Sequence, residues 1–298
     1  MAHYLHSSTL FNVKGWTALV TGGGTGIGLM ASQALAANGA KVYIAGRRLD
    51  VLKTAVEAHG GDKVEGELIP IQMDETDIES VKKAYEEISS KEDKLNLLIN
   101  NAGLAGPRAD VSAAEKGAEA FKDAMLKLPM SAWDDVYKTN IYGYYYTSAT
   151  FLPLLVNANK ADDKHKLSKD YSANIINICS ISGITKMTQN GQFIYNSSKA
   201  ATIQLTRLLA TEFSKTNLAV RVNSIAPGYF PSEMTTSESD SANKSHMSMD
   251  NWLSEKKVPC DRPGDDEDMA QAVLMLARNR YVNGQTVVVD GGLLFGMP

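Results

Sequence analysis

Thr21-Gly22-Gly23-Gly24-Thr25-Gly26-Ile27-Gly28 is the stretch that decides how this chain folds. A short apolar run, residues 16–20, leads into it, and apolar residues at helical spacing, residues 27–38, follow it. A strand that ends in spaced glycines and passes straight into a helix presents free backbone N–H groups and the positive end of a helix dipole. No Cβ atoms stand in the way of a pyrophosphate. Gly22, Thr25, Gly26, Ile27 and Gly28 are therefore candidate phosphate-binding positions. The spacing is G-x-x-x-G-x-G, and Leu29 follows Gly28 where a nucleoside-triphosphate loop requires lysine, which excludes that class.

Working outward, residues 41–45, 67–72, 95–100, 174–178, 219–225 and 286–290 are further short apolar runs bounded by Gly, Asn or Asp, and read as strands buried on both faces. Residues 50–58, 77–89, 132–156, 193–214 and 266–277 carry helix-period apolar positions between them. Repeated strand–helix alternation predicts one α/β domain over residues 1–298, a doubly wound (Rossmann) parallel sheet of about seven strands with helices on both faces. Three connections are long. Residues 104–131 leave the fourth strand at its carboxyl edge, where open α/β sheets bind ligands. Val111, Ala114, Ala118, Phe121, Met125 and Leu128 predict a helix within them, near the substrate cleft. Residues 157–173 lie on the opposite edge and read as solvated surface. Residues 229–259, rich in Ser and Thr with Met234, Met247, Met249 and Trp252 interspersed, read as a substrate lid, or else as a disordered loop.

Composition narrows the function classes. In 298 residues, 30 Lys+Arg against 34 Asp+Glu give a formal net charge of −4, which argues against a nucleic-acid partner, since that would want a basic face. Two cysteines, Cys179 and Cys260, rule out a disulfide framework, and His3, His6, His59, His165 and His246 show no metal-ligand spacing, so no metal is expected. No apolar run approaches a membrane span, and neither end carries a secretory or retention signal, so a cytoplasmic location is expected. No G-x-S-x-G elbow of a hydrolase occurs. Tyr142 and Tyr144–Tyr146 on the long fourth-strand helix read as core or subunit-interface residues.

Dinucleotide choice is read about 20 residues beyond the glycine turn, at the end of the second strand. Ala45-Gly46-Arg47-Arg48 offers two guanidiniums there and no carboxylate to accept from a ribose 2′-hydroxyl. A guanidinium binds phosphate through a planar fork of donors, so NADP(H) is the expected cofactor. Asp74, after the third strand, is placed either to accept from the adenine amino group or to cap a helix.

The glycine turn, Asn100-Asn101-Ala102-Gly103 after the fourth strand, and Tyr195-Asn196-Ser197-Ser198-Lys199 together resemble the short-chain dehydrogenase/reductases. Asn223-Ser224-Ile225-Ala226-Pro227-Gly228 and the final Asp290-Gly291-Gly292 extend the match over residues 15–292, with the motifs in family order. Pro227-Gly228-Tyr229-Phe230-Pro231-Ser232 is further similar to some 3-oxoacyl carrier-protein reductases. The resemblance implies that Asn101, Ala102, Gly103, Pro227, Gly228, Phe230 and Ser232 join the cofactor site, that Lys199 also reaches the nicotinamide ribose, and that the chain forms a homodimer or homotetramer.

The chemistry of the pair can be argued directly. Tyr195 and Lys199 are four apart and share one helix face. A free phenol has a pKa of about 10, too high for efficient acid–base work at neutral pH. An ammonium about 4 Å away at an effective dielectric of about 20 contributes roughly 4 kcal/mol to the phenolate, enough to lower that pKa by up to about three units before desolvation opposes it. Tyr195 is then expected to exchange a proton with a carbonyl or alcohol oxygen. A serine after the fifth strand should polarise the same oxygen. Ser180 matches the position at the strand end, whereas Ser182 has the family's common spacing to Tyr195; strand-end geometry favours Ser180. The resemblance makes Asn140 the fourth member, kinking its helix and holding a water that links Lys199 to solvent. Together these readings give an NADP(H)-dependent ketone–alcohol oxidoreductase acting on a small carbonyl or alcohol, of oxoacyl or other apolar type. A non-catalytic NADPH-binding regulator on the same fold is the alternative.

Overall fold

In the computed structural model, which describes residues 3–159, 173–215, 217–247 and 258–297, the predicted strands pair into one sheet. They are β1 (Thr17–Thr21), β2 (Lys41–Gly46), β3 (Glu67–Gln72), β4 (Leu97–Asn100), β5 (Asn174–Ile178), β6 (Arg221–Pro227) and β7 (Thr286–Val289). The order is β3-β2-β1-β4-β5-β6-β7, and every pairing is parallel. β1, β4, β5 and β6 are buried at every position, which is why their sequences are apolar runs and do not alternate.

Helices cover both faces. α2 (Gly26–Ala37), α3 (Leu49–His59) and α10 (Asp266–Arg278) close one core, with Leu29, Leu35, Leu52, Met269 and Leu276 packed on Val20, Ile44 and Ile176. α4 (Ile78–Ser89), α7 (Tyr144–Asn157) and α8 (Phe193–Phe213) close the other, with Val81, Ile88, Phe151, Leu155 and Leu209 on Leu19, Leu98 and Ile175. The doubly wound α/β class is borne out. A short α1 (Ser7–Leu10) precedes the first strand and was not expected.

Two helical expectations change in detail. The single helix over residues 132–156 is α6 (Met130–Tyr137), then a π-helical turn (Lys138–Gly143), then α7. The helix expected in residues 104–131 is split by Gly117, whose φ of 100° ends a 3-10 stretch (Val111–Lys116) before α5 (Ala118–Leu126). Ala109 N–H donates to Gly191 O at 3.0 Å, so this excursion lies against the segment that leads into α8. Much of the 157–173 connection, and Met249 and Trp252 of the expected lid, fall outside the described residues. Tyr144 is buried, whereas Tyr142, Tyr145 and Tyr146 are about half exposed.

One buried cation ties the carboxy-terminal half together. Arg221, at the start of β6, donates to Leu276 O and Ala277 O in the last turn of α10 and to Asn279 O and Val282 O beyond it, at 2.9–3.2 Å. It sits on the negative end of that helix dipole, where a cation is favoured. Arg221→Met would remove all four bonds, although Asn174, Val282 N–H and Asn223 still donate to Leu276 O, Asn279 O and Val282 O, and is expected to destabilise the protein by about 3 kcal/mol, which thermal unfolding would register as a lowered midpoint.

Candidate active site

A cleft of about 600 Å³ runs along the carboxyl edge of the sheet. At its centre is the glycine turn. Thr25 is the N-cap of α2 but makes no side-chain capping bond, so the first N–H groups of that helix are left for a ligand. Gly22 takes a φ of 61°, and a Cβ on Gly28 would come within 2.1 Å of Gly22 O. Gly28 thus lets the helix seat against the turn, while Gly22, Thr25, Gly26 and Ile27 line the cleft. Asn101 holds the turn from β4: its side-chain amide donates to Thr21 O and Gly22 O at 2.9 and 3.2 Å, and the N–H groups of Asn101 and Ala102 donate to the Thr21 hydroxyl.

Arg47 and Arg48 line one end, together with Asp74. Asp74 accepts from the N–H and hydroxyl of Thr76, and the residue that caps α4 is Asp77, so the capping alternative for Asp74 falls away. Pro227, Gly228, Phe230 and Ser232 form the wall that follows β6. Ser232 approaches the turn so closely that a Cβ on Gly26 would lie 2.8 Å from its own. An uncapped helix end, a cradle without side chains, and guanidiniums at one extremity fit a phosphate-bearing dinucleotide.

Ser180, Tyr195 and Lys199 meet at the other end, beside Gly103. The Ser180 side chain lies beside the Tyr195 phenol, close enough to favour its ionised form, and its Oγ accepts from Ser182 N–H at 3.1 Å. Ser182 does not line the cleft. Lys199 is only 3% exposed, and its ammonium donates to Ile178 O at 2.9 Å and lies 5.8 Å from the centre of the Tyr195 ring. Burial pulls the Lys199 pKa down to about 8. Tyr195 behaves contrary to expectation. Burial pushes its pKa up to about 12, and the neighbouring Ser180 hydroxyl only partly opposes this. The Lys199 ammonium donates to the Ile178 carbonyl, and desolvation of the phenolate is the leading influence on Tyr195.

Asn140 lies in the π-helical turn, as its expected kinking role requires. Its amide is committed to the backbone of Leu104, accepting from the N–H at 2.9 Å and donating to the carbonyl at 3.0 Å, and it also donates to Ser198 Oγ at 2.9 Å. It is fully buried and positions the strand-exit segment from behind the cleft wall. Cys179, Asp135, Lys138 and Thr139 line the cleft and were not anticipated, nor was Glu233.

Glu75 was also missed. It is 7% exposed, and neither carboxyl oxygen makes a hydrogen bond of good geometry. A Cβ on Gly143, in the π-helical turn, would lie 2.9 Å from its Cγ. Burial raises its pKa to about 8, opposed by the nearby Thr21 hydroxyl and by the charge of Lys199. An acid whose pKa is higher folded than unfolded gives its full stability below about pH 4.5 and loses it as pH rises through about 8. Glu75→Gln cannot ionise, so it should match the wild type near pH 4.5 and exceed it increasingly up to pH 8, by on the order of 3 kcal/mol. Chemical denaturation across that range measures the difference, and a constant gap at every pH would contradict it.

Comparison with known proteins agrees with this geometry. The chain is 35% identical over 298 residues to the short-chain dehydrogenase/reductase PhomF of Diaporthe leptostromiformis, spanning 99% of this chain and 96% of that protein. It is 32% identical over 291 residues to the rhamnolipids biosynthesis 3-oxoacyl-(acyl-carrier-protein) reductase of Pseudomonas aeruginosa, spanning 95% and 97%. Among solved structures, a Pseudomonas aeruginosa RhlG/NADP active-site complex matches with a TM-score of 0.74 at 29% identity, over 95% of this chain and 98% of that one. Fold, cleft and relatives define an oxidoreductase acting on CH–OH donors. The short chain dehydrogenase family profile matches residues 16–243, and the chain belongs to that family.

Proposed function

We propose that this protein is an NADP(H)-dependent ketoreductase that interconverts a ketone and a secondary alcohol. One observation carries the reading: Ser180, Tyr195 and Lys199 converge in the same cleft whose other end holds Arg47 and Arg48. Arg47 and Arg48 take the 2′-phosphate; Gly22, Thr25, Gly26 and Ile27 take the pyrophosphate, with Gly28 closing the turn behind them; Asp74 takes the adenine. Asn101, Ala102, Gly103, Pro227, Gly228, Phe230 and Ser232 complete the cofactor walls. When bound, the cofactor supplies or accepts the hydride.

Tyr195 donates a proton to the carbonyl oxygen. With a pKa near 12 the phenol is fully protonated at neutral pH and present as a donor, though a weaker acid than a free phenol; the alkoxide that develops as hydride arrives is more basic than a phenolate and can still take the proton. Ser180 orients that oxygen from the far side, and Lys199 places its positive charge where negative charge develops. Asn140 keeps the Leu104 segment and α8 in register. Ile181, the residue after Ser180, belongs to an apolar cluster with Val258, Leu293, Tyr229, Met247 and Leu294. This supports an apolar carbonyl, an oxoacyl group among them; the description of the Pseudomonas aeruginosa relative as a 3-oxoacyl reductase points the same way.

With NADPH and a panel of ketones, Tyr195→Phe should lose about 10²–10⁴-fold in kcat and Ser180→Ala about 10²-fold, while Ser182→Ala keeps most of the activity. Wild-type activity in Tyr195→Phe would end the proposal. The rate of reduction should fall as pH rises through about 8, where Lys199 loses its charge. Exposed Tyr142, Tyr145 and Tyr146 support self-association, and sedimentation at micromolar concentration should return a dimer or tetramer.

A further inference from the structure

The arginine end of the cleft already contains an anion. Arg48 Nη2 donates to Glu233 Oε2 at 2.6 Å, across 185 residues of sequence, and both residues line the cleft. The pair is partly solvated, with side chains 58% and 34% exposed. Glu233 is not a passing contact, because the chain on both sides of it is fixed. It opens α9 (Glu233–Thr236), which is held by a reciprocal Ser232–Thr235 cap, and Ser232 abuts Gly26. Further on, the Asn243 amide donates to Gly24 O and Val51 O at 3.1 and 2.8 Å, His59 pairs with Ala242 O at 2.7 Å, and Lys244 bridges Gln33 and Asp266. Residues 232–246 thus run as a strap over the glycine turn and the start of α3, and the strap delivers a carboxylate to Arg48.

We propose that Glu233 is a specificity-determining residue: it is the resident counter-ion of Arg48, which an incoming 2′-phosphate must displace or share. This rests on the reading of Arg47 and Arg48 as the 2′-phosphate site. A guanidinium has five N–H donors and can meet a phosphate and a carboxylate together, but the two anions then repel each other across it. An exposed ion pair contributes at most about 1 kcal/mol, so the exchange is open to NADP(H), with a penalty of that order. A dinucleotide with a free 2′-hydroxyl leaves the pair intact and incurs no penalty. Glu233 therefore lowers the preference for the phosphorylated cofactor below what two arginines alone would give.

The test is to titrate the full-length wild type, Glu233→Gln, Arg48→Gln and the double variant with NADPH and NADH, at low and high ionic strength. Glu233→Gln should tighten NADPH about fivefold, the fold-change that corresponds to about 1 kcal/mol. The gain should shrink as salt rises, leave NADH unchanged, and vanish in the Arg48→Gln background; Glu233→Ala should show the same direction. An unchanged or weakened NADPH affinity overturns the proposal, as does equal tightening of both cofactors or a gain that persists without Arg48. If Arg48→Gln weakens NADPH while Glu233→Gln does nothing, the proposal alone fails. If the wild type shows no preference for NADPH and Arg48→Gln changes nothing, the cofactor reading fails and takes the proposal with it.

Discussion

The main-chain carbonyl of Ile178, at the end of β5, is the point on which the reactive end of the cleft is built. It accepts from the Lys199 ammonium at 2.9 Å and from the Tyr144 hydroxyl at 3.1 Å. One acceptor therefore draws α7 and α8 onto the same strand end. The Lys199 charge also lies 5.6 Å from the Tyr144 ring centre, so the aromatic face shares in screening a buried cation. Ser180 follows two residues later, its backbone extended and its hydroxyl free to turn toward Tyr195. Strand, serine, tyrosine and lysine are thereby placed relative to one another by a few short bonds, as a reactive site that must hold its geometry requires.

Burial governs the electrostatics of this end more than pairing does. Tyr195, Glu75 and Cys179 are all pushed toward their protonated forms, and Lys199 toward its neutral form, each with desolvation as the leading cause. A pocket with that bias holds protons tightly on oxygen and weakly on nitrogen. At neutral pH the Tyr195 hydroxyl therefore stays protonated and is a weaker acid than a free phenol, so it gives up its proton only to an oxygen more basic than a phenolate.

Much of this was legible in the chain itself. Strands buried on both faces announce themselves as apolar runs, and the glycine turn can have few other uses between a strand and a helix. What was not legible depended on contacts between distant segments. The π-helical turn at Lys138–Gly143 adds a residue to the helical repeat without disturbing which residues are apolar, so periodicity read straight through it. Glu75 looks like an ordinary polar residue after a strand; only the packing of the π-helical turn against it shuts water out. The Arg48–Glu233 pair joins positions that no local pattern connects. Helical spacing brings Lys199 near Tyr195 but does not reveal how deeply the phenol is buried, and it is burial that raises its pKa.

The two ends of the cleft differ in how they are made, and the difference bears on how the protein can change over generations. The arginine end is built from side chains that reach into solvent, where a substitution disturbs little besides the contact itself. The tyrosine end is locked into the core, with Lys199, Ser180 and Asn140 wedged among helices and strand. Under the proposed assignment of the two ends, drift in such a molecule would retune which nucleotide it accepts long before it altered the reaction performed, and a breeder of new variants would find the first trait pliant and the second stubborn.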